Sequence, residues 1–324
     1  MRAWRIHQHG AWREQLRLEE APDPAPPDDG VVVHIAAAAL NFPDLLAIAG
    51  QYQVKPPLPF IPGMEAAGEV VAAGPRSALR PGQRVIVSAT GGGFAERVAA
   101  DDAHCYPMPD AMTDADAAAL LVVYQTGWLA LVRRARLRAG ETLLVHGGAG
   151  GVGTAAIQLG KALGARVIAT ASGAAKLDVC RSCGADEVFD YRERPIADAV
   201  AELTGGRGAD VIYDPIGGDV FDASTRCLAF EGRLLVIGFA GGRIPEIKAN
   251  RILLKNIDVI GIFWGNYLLH DPAVARTAHD DLCRMYQEAA IRPVIYREYP
   301  LAELPAALAA LEARESYGKI VVRP

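Results

Sequence analysis

Three glycines, Gly148, Gly150 and Gly153, stand at the G-x-G-x-x-G spacing inside a stretch that runs from Leu143 to Gly164. Each position has its own physical reason to lack a side chain: a tight turn, close approach of backbone to a pyrophosphate, and close packing of helix on sheet. Gly151 and Val152 complete the turn. The first free N–H groups of a helix beginning there, with the positive end of its dipole, would face phosphate oxygens. The spacing alone says little in a chain with 33 glycines. Its surroundings give it weight. The apolar run Leu143–Val145 reads as a buried parallel strand, and Val152, Ala155, Ala156, Leu159 and Leu163 follow with helical periodicity. Strand, glycine turn and helix together predict a dinucleotide-binding βα unit.

The next strand bears on which dinucleotide. Selection of NAD usually places Asp or Glu about 20 residues past the glycines, to hold the ribose 2′-hydroxyl. Here the segment from Arg166 reads Arg-Val-Ile-Ala-Thr-Ala-Ser-Gly-Ala-Ala-Lys-Leu-Asp178, with no acid before Asp178. Ser172 offers a hydroxyl, Lys176 a cation and Tyr191 a phenol. Those groups suit a 2′-phosphate, which a carboxylate would repel. The expected cofactor is NADPH.

Two kinds of architecture must position these groups. Residues 1 to about 110 are β-rich and punctuated by Pro and Gly, with strands predicted at 31–35, 67–73 and 84–87 and a proline-rich loop at 21–30. Thr113-Asp-Ala-Asp116 has the form of a helix start, a hydroxyl followed three residues later by an acid. From Glu141 to about Gly265 strands alternate with helices, with strands expected at 142–146, 166–170, 187–190, 209–214, 233–237 and 257–262. That alternation predicts an α/β fold, a doubly wound parallel sheet. A helix at about 272–290, a strand near 294–299, a helix from Ala302 and a closing strand at 319–322 are expected to return to the β-rich domain.

Composition narrows the function classes. The 324 residues are 51% hydrophobic and 22% charged, with a net charge of −5; with no basic block, a nucleic-acid surface is not expected. The start, Met1-Arg-Ala-Trp-Arg-Ile-His, lacks an apolar core of signal-peptide length, and no uninterrupted apolar run is expected to span a membrane. Five scattered cysteines suit a reducing compartment, so the cytoplasm is the expected location. Cys180-x-x-Cys183 lies in a helical run without a second pair and is expected to pack on one helix face.

Four stretches carry a resemblance to a known family. They are Asn41-Phe-Pro-Asp44 with Gly50-Gln-Tyr52; Pro59-Phe-Ile-Pro-Gly-Met-Glu-Ala-Ala-Gly68; Val145–Gly164; and Lys255-Asn-Ile-Asp-Val-Ile-Gly-Ile-Phe-Trp-Gly265. Over essentially its whole length the chain resembles the zinc-independent quinone oxidoreductases of the medium-chain dehydrogenase/reductase superfamily. The resemblance implies a GroES-like catalytic domain (residues 1–125, completed by 266–324), a Rossmann domain (residues 126–265) and a cleft for NADPH. It also implies a homodimer, with Ile257–Phe263 as an interface strand. Zinc-dependent relatives have Cys where this chain has Asn41 and His where it has Met64, so no metal is expected.

The same resemblance assigns roles to residues. Asn41 falls on the active-site position, Asp44 holds its loop, and Tyr52 is placed to donate to a developing oxyanion; Leu46 stands where some relatives have a second tyrosine, which leaves water as a rival proton donor. Cofactor contacts fall on Thr126, the turn Gly150–Val152, Ser172, Lys176 and Tyr191, with Gly238, Phe239, Phe263, Trp264 and Gly265 around the nicotinamide and Lys319 approaching from the C-terminal segment. Hydride transfer without a Lewis acid suits an acceptor that spreads the incoming charge into an enolate or phenolate. Quinones are therefore the expected substrates. Enones or enoyl thioesters, and a non-catalytic NADPH-binding role, are the alternatives.

Overall fold

The computed structural model describes residues Met1–Pro324, which divide into two compact units. The first holds Met1–Val122 and Pro293–Pro324, the second Val123–Arg292. The strands of the leading segment are β1 (Arg2–Arg5), β2 (Arg17–Glu20), β3 (Gly30–Ala39), β4 (Glu65–Ala73), β5 (Arg84–Ser88), β6 (Arg97–Asp101) and β7 (Cys105–Pro107). The middle segment carries β8 (Thr142–Val145), β9 (Arg166–Ala171), β10 (Glu187–Asp190), β11 (Ala209–Asp214), β12 (Leu228–Val236) and β13 (Asp258–Gly261). The last segment adds β14 (Ile295–Pro300) and β15 (Lys319–Arg323).

In the first unit β3 is the organising strand. It pairs antiparallel with β4, β6 and β15, within a sheet ordered β14-β15-β3-β4-β5-β7. Its alternation sends Val31, Val33 and Ile35 into a core shared with Val70, Val85, Val87, Phe94, Leu304, Leu308, Ile320 and Val322. At Gly68 the two strands leave no room for a side chain, since a Cβ there would lie 1.9 Å from the His34 carbonyl oxygen. Pairing of Val321 with Ala39, and the bond from Leu40 N–H to the Ile320 carbonyl (2.9 Å), bring the end of the chain to the end of β3. The stretch Phe42–Ile48, read as loop from its sequence, is a short helix with a proline in its first turn, where no N–H is needed.

The second unit is the doubly wound sheet, with six parallel strands in the order β10-β9-β8-β11-β12-β13. Leu144, Ile168, Ile212 and Leu234 from four adjacent strands share a core with Val200, Phe221 and Ile257. Strand β12 starts five residues earlier than its apolar pattern predicts, because Leu228 already pairs with Ala209 across an irregularity in the ladder. Cys180 and Cys183 are both buried and unpaired at one end of the helix Ala174–Ser182.

One expectation changes. Residues 266–292 belong to the second unit and not to the first. The helix Pro272–Gln287 buries Ala275, Ala278, Leu282, Met285 and Tyr286 along one stripe, and Asp281 accepts from the Trp128 indole at 3.0 Å. Gln158 then clasps the Arg292 backbone at both its N–H (2.7 Å) and its carbonyl (2.9 Å). A complete sheet does not complete a unit whose helices still need cover; the chain leaves only at Pro293. The segment Asp114–Arg134 is 21 residues long and apolar enough to cross a membrane by length and composition. With 89% of its most apolar window buried, it is a core helix. Its start is the predicted one, the Thr113 hydroxyl accepting the Asp116 N–H at 3.1 Å.

Candidate functional site

The glycine loop of the second unit separates its three glycines by cause. At Gly153 a Cβ would lie 2.2 Å from the Gly147 carbonyl oxygen, and at Gly148 one would lie 2.8 Å from Cys180 Sγ. Both positions are closed by the protein itself. At Gly150 the nearest atom is 3.4 Å away, an ordinary contact, and the backbone is extended with φ −75°. Nothing in the chain closes this position, so the backbone at Gly150 is open to the close approach that a pyrophosphate would make. The helix Gly151–Ala162 starts at this point without a capping side chain. Its first N–H groups, on Gly151, Val152 and Gly153, therefore suit an anion.

His146, just before the loop, is fully buried and burial pushes its imidazole down to about 3. Ser224 spends its hydroxyl proton on the Val220 carbonyl (2.8 Å), so His146 Nε2 donates to Ser224 Oγ (2.9 Å) and Nδ1 accepts from Thr170 (3.2 Å). An imidazole with one nitrogen donating and the other accepting thus ties β8 to β9 and to the helix Gly218–Cys227.

The other predicted cofactor residues of this unit gather at the carboxyl ends of the same strands. A Cβ on Gly147 would meet Ile216 at 3.0 Å, and one on Gly217 would meet the Phe239 ring at 2.9 Å; the Ala240 N–H donates to the Pro215 carbonyl. The turn holding Gly238 and Phe239 is therefore continuous with the glycine loop. Phe263, Trp264 and Gly265 follow β13, and the Trp264 indole is fixed by Gln125 at 2.7 Å, beside the buried Thr126. Phe239 and Phe263 are both 37% exposed, rings left open at a strand edge.

After β9 come Ser172, Gly173 at φ +80° and the helix Ala174–Ser182, which carries Lys176. Tyr191 is 41% exposed just past β10. Sequence reasoning missed a carboxylate here. Asp190 pairs in register with Ala171 at the end of β9, and its Oδ2 accepts the Gly173 N–H at 2.6 Å. The Arg192 side chain and backbone, with the Gly173 N–H, hold that carboxyl down at about 2.

The first unit assembles a second cluster around Asn41. Lys319 Nζ donates to the Leu40 carbonyl (2.7 Å), Asn41 Oδ1 (2.6 Å) and Glu65 Oε1 (2.8 Å). Asn41 Nδ2 donates to the same Glu65 oxygen at 2.9 Å, while Glu65 Oε2 accepts the Val122 N–H at 2.8 Å. Only one orientation of the Asn41 amide satisfies both an ammonium and a carboxylate. Asp44 returns a carboxylate oxygen to the Asn41 N–H at 2.7 Å, closing a capping box on the helix Phe42–Ile48. Burial, chiefly, pushes Asp44 up to about 7, and it leaves the other oxygen without a partner. Tyr52 is half-buried against the same core; burial first, and the Asp44 charge second, push its phenol upward.

This geometry corrects one expectation and supplies one missing residue. All three Lys319 protons are spent inside the first unit, so it anchors Asn41 and has no donor left for a cofactor. Glu65 went unselected by sequence reasoning, although a carboxylate opening the apolar run Glu65-Ala-Ala-Gly is itself a signal, as is the lysine opening Lys319-Ile-Val-Val.

Residues 27–110 match the family described as "Alcohol dehydrogenase GroES-like domain", and residues 151–280 the family described as "Zinc-binding dehydrogenase". The residues present do not fit zinc. A buried ammonium 2.6 Å from Asn41 Oδ1 would repel a second cation, and Met64 offers only a thioether. Among curated relatives, quinone oxidoreductase-like protein 2 of Mus musculus is 38% identical over 96% of this chain and 89% of its own length. Quinone oxidoreductase of Rattus norvegicus is 32% identical over 99% and 96%. Among solved structures, the Escherichia coli quinone oxidoreductase complexed with NADPH superposes with a TM-score of 0.93 at 28% identity, over the whole of both chains. The Thermus thermophilus quinone oxidoreductase, also solved in complex with NADPH, gives 0.85 at 35% identity over the whole of both chains.

Proposed function

We propose that this chain, which belongs to the zinc-independent quinone oxidoreductase family of the medium-chain dehydrogenase/reductase superfamily, is an NADPH-dependent reductase of quinones. The observation that carries the reading is the closed set of bonds among Lys319, Asn41 and Glu65 at the position where a metal-dependent relative needs a thiolate. With that place filled by an amide and an ammonium, the acceptor must stabilise most of the incoming charge itself. A quinone does so across its ring.

NADPH, when bound, supplies the hydride. Gly148, Gly150, Gly151, Val152 and Gly153 would hold its pyrophosphate, and Ser172, Lys176 and Tyr191 its 2′-phosphate. Thr126, Gly238, Phe239, Phe263, Trp264 and Gly265 would line the nicotinamide. Asn41, locked by Glu65 and Lys319, orients its partner without spending energy on reorganisation. Tyr52 keeps its proton, because burial and Asp44 both oppose its loss, and so acts as a hydrogen-bond donor to the forming phenolate. Asp44 holds the loop. A Tyr52→Phe variant with unchanged turnover would dismiss the donor role.

NADPH oxidation against a panel of quinones, enals, enones and crotonyl-type thioesters tests the assignment. Turnover confined to quinones supports it; turnover confined to enones or thioesters makes the chain a C=C reductase; tight binding without turnover leaves a coenzyme-binding protein. The working form is a homodimer. The edge strand β13 has only one neighbour, and Leu253, Leu254 and Leu269 on the helices flanking it are each at least 75% exposed. A monomeric mass in solution would refute this. None of the five cysteines is in a disulfide, which supports a reducing, cytoplasmic location for that dimer; an oxidising compartment found by fractionation would overturn this reading.

A further inference from the structure

We infer that Arg192 is a determinant of coenzyme choice, a cation held at the β9 turn that both grips a 2′-phosphate and masks the carboxylate that would reject it. The inference rests on the NADPH reading above and adds a residue to it. The carboxyl end of the second strand of such a sheet is where the adenosine ribose is recognised. Asp190 reaches this end from the neighbouring strand, with Oδ2 2.6 Å from the Gly173 N–H. An open carboxylate here would favour a free 2′-hydroxyl. Asp190 is not open. Its side chain is 5% exposed and both oxygens are occupied, Oδ1 by the Arg192 N–H (2.8 Å) and Nε (3.4 Å), Oδ2 by Gly173 and by Arg192 Nη2 (3.1 Å).

The guanidinium is placed by that same grip. Its Nη2 lies 3.5 Å from where a Gly173 Cβ would stand, so the group covers the turn while its side chain stays 60% exposed. One edge of the planar fork is spent on Asp190, and the outward donors remain for a phosphate oxygen. Because Asp190 fixes the rotamer beforehand, little side-chain entropy is lost on binding. Lys176, in the first turn of the helix that begins at Ala174, gives the turn a second cation.

Titration calorimetry with adenosine 2′,5′-bisphosphate and adenosine 5′-monophosphate tests the inference on the full chain, independently of turnover. Arg192→Ala should weaken the bisphosphate about tenfold or more and the monophosphate by less than about twofold. The pair D190N/R192A, which has no carboxylate left to unmask, should regain at least about threefold of the bisphosphate affinity. A bisphosphate affinity within about twofold of the parent in R192A, or an equal loss for both nucleotides, would overturn the role of Arg192. No recovery in D190N/R192A would overturn the masking. If the unaltered chain showed no preference for the bisphosphate, the coenzyme reading would fall and this inference with it; a preference that R192A keeps defeats the inference alone.

Discussion

Removing the Lys319 ammonium tests the first unit's cluster most directly. Its side chain is 4% exposed and that of Glu65 is fully buried. In Lys319→Met the stem volume stays, but three bonds vanish together: those to the Leu40 carbonyl, to Asn41 Oδ1 and to Glu65. Glu65 keeps only the Asn41 amide and the Val122 N–H, two neutral donors for a full charge. Breaking a buried pair from one side costs about 3–5 kcal/mol, a large share of the ~5–15 kcal/mol that holds a domain folded. Urea unfolding followed by tryptophan fluorescence reads this, since Trp4 and Trp12 are both buried in the first unit. The variant E65Q/K319M leaves no unpaired charge and should recover at least ~2 kcal/mol of the loss.

Catalysis should follow in a particular pattern. With Asn41 Oδ1 released, its amide is free to turn, and turnover should fall about tenfold or more through lost positioning. Affinity for NADPH should stay within about twofold, because Lys319 has no donor to spare for it. A stability loss below ~1 kcal/mol in K319M, with no recovery in the double variant, would refute the buried-pair reasoning. A large rise in the NADPH dissociation constant with unchanged stability would restore Lys319 as a cofactor ligand.

Two further outcomes are expected. Asp44 has its folded value raised from 3.8 to about 7, so the folded state binds the extra proton and stability falls as pH rises between those values, by roughly 4 kcal/mol in all; Asp44→Asn should abolish that slope in urea-unfolding curves measured from pH 4 to 8, and a parallel pair of curves would show that Asp44 ionises normally. Gly150→Ala should fold with unchanged stability yet bind NADPH at least about tenfold more weakly, whereas Gly153→Ala, forced 2.2 Å from a carbonyl oxygen, should lose about 1–3 kcal/mol as well; equal thermal stability of the two would contradict the packing argument.

The βα unit was legible in the sequence because every signal in it is local. An apolar strand, a glycine turn and a helical stripe lie within some twenty consecutive residues, and the six strands of the second unit each carry their own apolar run. Pairings between distant segments were not legible. Glu65 and Lys319 stand 254 positions apart and meet only because β15 returns to pair with β3. Asp190 is nineteen residues past Ala171, and only the parallel register sets it opposite the turn. The misplaced boundary at residue 266 had the same origin: sheet completeness can be counted from the sequence, but Gln158 clasping Arg292 cannot.

Both clusters solve one electrostatic problem by the same means. In each, a cation fixed by hydrogen bonds cancels a carboxylate that would otherwise repel an anion brought beside it. Glu65 is cancelled by Lys319 inside the first unit, at the cost of desolvating both, so that pair orients Asn41 and contributes little net charge. Asp190 is cancelled by Arg192 at the surface of the second unit, where the cation keeps donors facing outward. Burial decides the difference in role. A cation with all its donors spent positions a neighbour, and one left 60% exposed can still meet a ligand. On the reading proposed above, similar ion-pair chemistry would give a scaffold in one unit and a recognition element in the other, with lysine and arginine used accordingly: three convergent point-charge bonds for the first, a planar fork with a free edge for the second.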